Sequence, residues 1–239
     1  MAACHYDVGA ADSAFYDWDG RKVHCAVDID TYARIGNESI DTGLDRARDR
    51  GEVLELYNHE PTITIQTDVI EHVLAGAQSR GLAFVTYADM AAGVRPAGGG
   101  LAYSFDDAYV KQWYALRPLF QKYHARITFF VAYWDQISPG NRELLDELAA
   151  DGHDIEAHSV KHFRGPVYVE QRGLDAYMTE EILPSIEGPR DDGFAISVFA
   201  YPYGSRTDET DRAILDHVSL VRSVAYTWDS PATDPCPND

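Results

Sequence analysis

The residues of this chain that could do chemistry are carboxylates and imidazoles grouped in short segments. Asp106 and Asp107 follow an apolar run, and His158 and His162 stand four residues apart in the segment HSVKH. Two imidazoles at this spacing share one face of a helix or turn, so they can bind one metal ion. With one carboxylate they form a ligand set that leaves coordination positions open, as catalytic zinc sites require. Taken separately, the acidic pair could equally cap a helix, and the histidines could be solvated or core residues.

The elements that would position these side chains alternate along the chain. Apolar runs rich in β-branched residues alternate with segments of helical periodicity, which is typical of a parallel sheet built from strand and helix units. The candidate polar residues follow the strands, as they do at the carboxyl mouth of a barrel. The predicted strands are 23–29, 53–57, 83–87, 101–105, 127–131, 154–157, 196–201 and 220–225. The predicted helices are 42–48, 68–79, 108–124, 141–151, 174–187 and 208–217.

The composition indicates one domain and excludes several kinds of partner. A chain of 239 residues with 45% hydrophobic content can bury a sizeable core. Its 39 acidic and 20 basic residues give a net charge of -19 with no basic cluster, so we expect no nucleic acid or membrane partner. No apolar stretch has membrane-spanning length, and the first residues do not form a secretion signal. We expect a soluble, cytoplasmic protein, or a secreted one if a leader was removed.

Four segments together resemble the active-site motifs of one enzyme family. SFDDA, HSVKH and FAYPYG, which contain Asp106, His158 and Tyr203, resemble the first three motifs of the polysaccharide deacetylases. These are enzymes of the carbohydrate esterase family 4 type, such as chitooligosaccharide and peptidoglycan deacetylases. LYNHE, which contains His59, resembles the family's last motif. The resemblance covers nearly the whole chain, from about residue 23 to residue 225.

The order of these segments is unusual, because the motif that closes the family's domain precedes the other three. The resemblance therefore implies a circularly permuted domain. Residues 1–91 would be equivalent to the family's C-terminal part and residues 101–239 to its N-terminal part. The Gly- and Pro-containing stretch 92–100 would be the linker that joins them. The implied fold is α/β, a single distorted (β/α) barrel of seven or eight parallel strands over residues 1–239.

The three cysteines are widely separated. Cys4, Cys25 and Cys236 have no paired short spacing, which favours free thiols over a cysteine zinc site or a disulfide framework. Because a permutation would bring the two chain ends together, a disulfide between Cys4 and Cys236 is the alternative.

The resemblance implies that Asp107, His158 and His162 bind a divalent metal. Zinc is the first choice, although cobalt, nickel, iron and manganese suit the same ligands. The metal would polarise an amide carbonyl and acidify a bound water.

The remaining matched residues would carry out proton transfer and shape the site. Asp106 would act as the base, His59 would protonate the departing amine, and the backbone amide of Tyr203 would bind the oxyanion. The residues that would form the substrate groove are Tyr201, Pro202 and Trp134.

Two positions depart from the family's pattern. The third motif usually begins with an arginine that pairs with the base, but this chain has Ala200 there. The family's acidic motif is recognisable only in VDID, where Asp28 or Asp30 would orient His59 and Tyr32 would stand for a tryptophan. The candidates to replace the missing arginine are Arg164, Arg206 and Arg222.

These observations predict a metal-dependent hydrolase that removes an N-acetyl group from an N-acetylated sugar or glycan. One alternative is the same fold acting on a small amide or cyclic ureide, which a capped pocket would favour over an open groove. Another is a catalytically silent carbohydrate-binding module.

Overall fold

The computed structural model describes residues 7–225 and Cys236, and a closed parallel β-barrel forms its centre. The strands of the described residues are β1 Phe15–Tyr16, β2 Val23–Asp28, β3 Val53–Asn58, β4 Ala83–Phe84, β5 Gly100–Asp107, β6 Thr128–Val131, β7 Asp154–Ala157, β8 Val198–Ala200 and β9 Leu220–Val224. Around the barrel the order is β2, β3, β5, β6, β7, β8 and β9, and β9 pairs with β2 to close it. β1 is antiparallel to β3, and β4 lies parallel to β5. Because the seven strands of the ring are parallel, their carboxyl ends share one mouth.

Helices follow most strands and bury one apolar face against the barrel. In α1, Ile40, Leu44 and Ala47 recur every three or four residues and are fully buried, and Gly51 ends the helix with a φ of 71°. No helix within residues 7–225 is long and apolar enough to cross a bilayer. The α-helices of the described residues are α1 Asn37–Arg50, α2 Thr67–Ser79, α3 Tyr87–Ala91, α4 Val110–Ala115, α5 Arg117–Tyr123, α6 Pro139–Ala150, α7 Gly165–Arg172, α8 Leu174–Tyr177, α9 Leu183–Asp191 and α10 Asp208–Leu215.

The predicted α/β barrel is confirmed, with seven strands in its ring. The predicted strand 83–87 is too long, because Thr86 and Asp89 form a capping box that starts α3. The predicted helix 108–124 is broken near Leu116, since Pro118 lacks the N–H that a continuous helix would need there. The elements α3, α7 and β1 were not expected from the sequence pattern.

The cysteine pairing differs from both expectations. Cys25 and Cys236 form a disulfide with a Cα–Cα distance of 6.2 Å, so the prediction of free thiols is wrong for these two residues. The reason is that Cys236 lies against β9, with its Sγ 3.2 Å from the Val224 carbonyl oxygen, and the closure of the barrel sets β9 beside β2, which carries Cys25. The alternative of a Cys4–Cys236 disulfide is therefore also wrong, and Cys4 itself lies outside the described residues.

Candidate active site

The two carboxylates at the end of β5 both face His158. Asp106 is buried in the barrel, and Asp107 is the last residue of the strand, with a φ of 83°. This left-handed conformation ends the strand's alternation of side chains. As a result, His158 Nε2 lies 3.9 Å from a carboxylate oxygen of Asp106 and 3.7 Å from one of Asp107.

Asp107, His158 and His162 converge on one point. His162 Nε2 lies 3.1 Å from Asp107 Oδ1 and 3.2 Å from His158 Nε2. One potential ligand atom from each residue lies within 4.8 Å of the others. The Ala200 carbonyl accepts a 2.8 Å hydrogen bond from His158 Nδ1, so the lone pair of Nε2 faces this point. The three predicted metal ligands are thus close enough to hold one ion.

The protonation states of these groups also fit a metal ion. Burial lowers the pKa of His158 to about 4, so its imidazole is neutral at pH 7. Burial alone would raise the pKa of Asp107, but the imidazoles beside it, His162 foremost, outweigh burial and lower its pKa to about 2. Asp107 Oδ1 is buried, and its 3.1 Å contact with His162 Nε2 lacks the geometry of a hydrogen bond. A neutral imidazole and an ionised carboxylate with a free oxygen are the forms that bind divalent metals.

The segment HSVKH forms a tight turn rather than a helix. Ser159 and His162 have φ values of 65° and 59°, and Ser159 Oγ accepts a hydrogen bond from the His162 amide. Glu181 fixes the turn from a neighbouring π-helix, Met178–Ile182: its backbone carbonyl accepts from the Val160 amide and its carboxylate from the Lys161 amide. Sequence reasoning missed Glu181. Its position four residues after the buried Tyr177, on the inward face of a helical segment, is the signal that could have found it.

Asp106 pairs with an arginine that comes from a different strand than in the family's pattern. Arg222 on β9 donates from Nη2 to both carboxylate oxygens of Asp106, at 2.5 Å each. The guanidinium carbon lies 4.7 Å from the centre of the Tyr57 ring and 4.9 Å from that of Phe130. In the pairing of β8 with β9, Arg222 stands opposite Ala200, the position where the family's arginine is expected. Of the three candidates to replace it, Arg222 contacts Asp106.

His59 follows β3 and reaches the same mouth. β3 pairs with β5 so that Asn58 lies opposite Phe105, and His59 and Asp106 are therefore the next residues on adjacent strands. His59 Nδ1 lies 2.5 Å from an oxygen of Asp30. Burial alone would lower the pKa of His59, but this hydrogen bond and the charge of Asp106 outweigh burial and raise the pKa to about 9. His59 is therefore a cation at neutral pH.

Asp28 and Asp30 have different partners. Asp30 contacts His59 and also accepts a 2.7 Å hydrogen bond from Thr64 Oγ1, which fixes its carboxylate. Asp28 instead accepts from the Asp30 amide, and burial raises its pKa to about 6. Of the two predicted orienting residues, Asp30 is the one in contact with the imidazole.

The prediction of the substrate-groove residues is wrong. Tyr201, Pro202 and Trp134 are buried, so their side chains offer no surface to a substrate. Tyr201 OH donates to the buried Asp211, and Trp134 Nε1 donates to Asp192, so the polar atom of each side chain has a partner within the protein. Tyr203, by contrast, is 52% exposed and its ring centre lies 4.7 Å from that of His162. The exposed aromatic surface beside His162 therefore belongs to Tyr203.

The comparisons with known proteins agree with this fold and give the family of the chain. A sequence profile described as polysaccharide deacetylase matches residues 94–218, and the chain belongs to the polysaccharide deacetylase family. No curated protein matches the chain significantly.

Several solved structures share the barrel. The deacetylase PplD from Streptococcus pyogenes, solved in complex with acetate, superposes with a TM-score of 0.56 at 17% identity, covering 72% of this chain and 90% of that one. IcaB from Ammonifex degensii gives a TM-score of 0.54 at 18% identity, covering 73% and 91%. A de-N-acetylase from Aggregatibacter actinomycetemcomitans gives 0.55 at 15% identity, covering 73% and 94%. At these identities the similarity shows a shared fold.

Proposed function

We propose that this chain is a metal-dependent hydrolase that removes the N-acetyl group from an N-acetylated sugar or glycan. The observation that carries the proposal is the meeting of Asp107, His158 and His162 at the barrel mouth, with the Asp106 carboxylate and the His59 imidazolium beside them. A base and an acid on either side of a metal position are the groups that amide hydrolysis needs. Membership of the polysaccharide deacetylase family and the structural likeness to de-N-acetylases give the same reaction class.

Asp107, His158 and His162 would hold a divalent ion, zinc first among the ions that suit two imidazoles and a carboxylate. When bound, the ion would supply a Lewis acid for the amide carbonyl and would acidify a water molecule. Since His158 already donates Nδ1–H to the Ala200 carbonyl, its ring is fixed with Nε2 free.

The remaining residues would move protons and stabilise charge. Asp106, held by Arg222, would accept the proton of the attacking water. His59 carries a proton at neutral pH and would donate it to the departing amine, while Asp30 orients the ring and stabilises its charge. The Tyr203 amide would donate to the oxyanion of the tetrahedral intermediate.

We also propose that the domain is circularly permuted, with residues 1–91 and 101–239 exchanged relative to the family's order and 92–100 as the joining segment. Two observations support this. The family profile begins at residue 94, after His59 and Asp30, which nevertheless lie at the same mouth as Asp106. The ring of strands is also closed between β2 and β9, the first and the last strands of the ring in sequence.

The experiment is acetate release from N-acetylglucosamine oligomers after chelation and after restoration of zinc or cobalt. We expect release only with metal, and loss of release in Asp106→Asn while that variant still binds one metal per chain. A metal-loaded protein that releases no acetate from any sugar would overturn the glycan assignment and would favour the small-amide or silent-module alternative.

A further inference from the structure

The position of Arg164 is unusual for its residue type. It is the N-cap residue of α7, where Ser, Thr, Asp and Asn are preferred because their side chains accept from the first amides of the helix. The Arg164 side chain makes no such cap hydrogen bond. The Arg164 side chain therefore does not serve the start of the helix.

The guanidinium of Arg164 is held beside the metal ligands. Its carbon lies 4.1 Å from the centre of the Tyr203 ring, and that ring packs edge to face on His162. The backbone is fixed as well: a Cβ on Gly165 would come within 2.8 Å of Tyr177 Oη, so the chain runs close against that side chain. Two contacts, Arg164 with the Tyr203 ring and that ring with His162, thus connect the positive charge of Arg164 to the metal position.

Most arginines of the described residues pair with a carboxylate, but Arg164 has no carboxylate partner among those residues. Arg117 pairs with Glu147 and Asp151, Arg142 with Asp192, and Arg222 with Asp106. A guanidinium that lies over an aromatic ring keeps its N–H groups free at the edge, where they can bind an anionic oxygen group through two hydrogen bonds.

The net charge of the chain affects which substrates can approach the site. A net charge of -19 repels anions, so an anionic substrate would need a local cation at the mouth, whereas a neutral glycan would not. We propose that Arg164, stacked on Tyr203, selects N-acetylated glycans that carry an anionic group, a carboxylate or a phosphate, on or next to the sugar that loses its acetyl group. The inference rests on the proposed function and names its substrate class.

The test compares three substrates of equal length: neutral N-acetylglucosamine oligomers, oligomers alternating N-acetylglucosamine with a uronic acid, and oligomers bearing a sugar phosphate. For the zinc-loaded wild type we expect a lower KM on one or both anionic substrates than on the neutral one. In Arg164→Gln the ratio of anionic to neutral kcat/KM should fall about tenfold, through KM rather than kcat, and Arg164→Lys should keep part of the selectivity. The two anionic arms distinguish carboxylate from phosphate.

A matched control is Arg50→Gln, which removes the same charge from the exposed end of α1. Its selectivity ratio should equal that of the wild type. An unchanged ratio in Arg164→Gln, or a wild type without preference, overturns the inference while leaving the proposed function intact. If no substrate is turned over, calorimetric binding of the uronic acid oligomer to wild type and Arg164→Gln still decides: equal affinities overturn it, and weaker binding by the variant supports it.

Discussion

Arg222 and Asp106, which are 116 residues apart in sequence, form a buried ion pair in which one guanidinium nitrogen contacts both carboxylate oxygens. Both side chains are almost completely buried. Since Arg222 stands opposite Ala200 on the adjacent strand, the guanidinium that the family supplies from its third motif comes here from the next strand of the barrel. Asp106 thus has a cationic partner although Ala200 stands where the family's arginine is expected.

Removing Arg222 should destabilise the protein as well as inactivate it. Arg222→Met leaves the Asp106 carboxylate buried without a counter-charge, so we expect the free energy of unfolding to fall by about 3 to 5 kcal/mol. Asp106→Asn/Arg222→Met should recover most of that loss, because no charge is then left unpaired. Urea unfolding of the two single variants and the double variant measures this coupling, and additive effects would contradict the pair.

The same relationship predicts the outcome of moving the arginine. Arg222→Ala should lose acetate release, and Ala200→Arg/Arg222→Ala should regain part of it, since the two positions are opposite each other on neighbouring strands. The measurement is kcat of the zinc-loaded variants. Ala200→Arg in the presence of Arg222 is the control, and it should gain nothing. A swapped variant no more active than Arg222→Ala would contradict the exchange of positions.

The contact between Asp30 and His59 predicts a shift in pH dependence. His59 must be protonated to donate to the leaving amine, so activity should be lost as pH rises through its pKa of about 9. Asp30→Asn removes the hydrogen-bonded charge that raises this pKa, and the loss should begin at lower pH, towards the ordinary value of about 6.5. A pH profile of kcat measures this. Thr64→Val removes the hydrogen bond to Asp30 and the one from the Glu60 amide but leaves the Asp30 charge in place, so it should shift the profile less. An alkaline limb that stays in place in Asp30→Asn would exclude His59 as the acid.

Metal binding should depend on the three converging residues. We expect His162→Ala and Asp107→Asn to weaken zinc binding at least about 10-fold, because each removes one of only three protein ligands. Titration calorimetry with zinc on the chelated protein gives the affinities. His217→Ala, a change at an exposed histidine after α10, should bind zinc like the wild type. Full affinity in His162→Ala would show that the ion lies elsewhere.

The sequence was sufficient to predict the barrel and to select Asp107, His158 and His162, which the fold brings together, because both depend on local patterns. Alternating apolar runs define the strands, and the spacing of His158 and His162 sets two imidazoles in one turn. The partner of Asp106 could not be chosen among three arginines, since that contact depends on the register of β8 against β9. The burial of Trp134 could not be predicted either, because it depends on the packing of α9, which lies far away in sequence.

The disulfide should stabilise the fold. Cys25 and Cys236 are separated by 211 residues, and crosslinks that close long loops restrict the unfolded chain most, so we expect reduction to lower the free energy of unfolding by about 2 to 4 kcal/mol. Denaturant unfolding with and without reductant measures the difference. The Cys25→Ser/Cys236→Ser variant should be as unstable as the reduced protein and insensitive to reductant. Thiol titration of the unreduced protein should find one free thiol, and three would contradict the pairing.

If residues from before and after the segment 92–100 form a single active site, removing His59 should cost activity without costing the metal. The measurement is kcat for acetate release by zinc-loaded His59→Ala, together with its zinc content. We expect a loss of about 100-fold or more with one zinc still bound, because a general acid is removed while all three proposed metal ligands remain. A variant that releases acetate at the wild-type rate would show that His59 takes no part in the reaction.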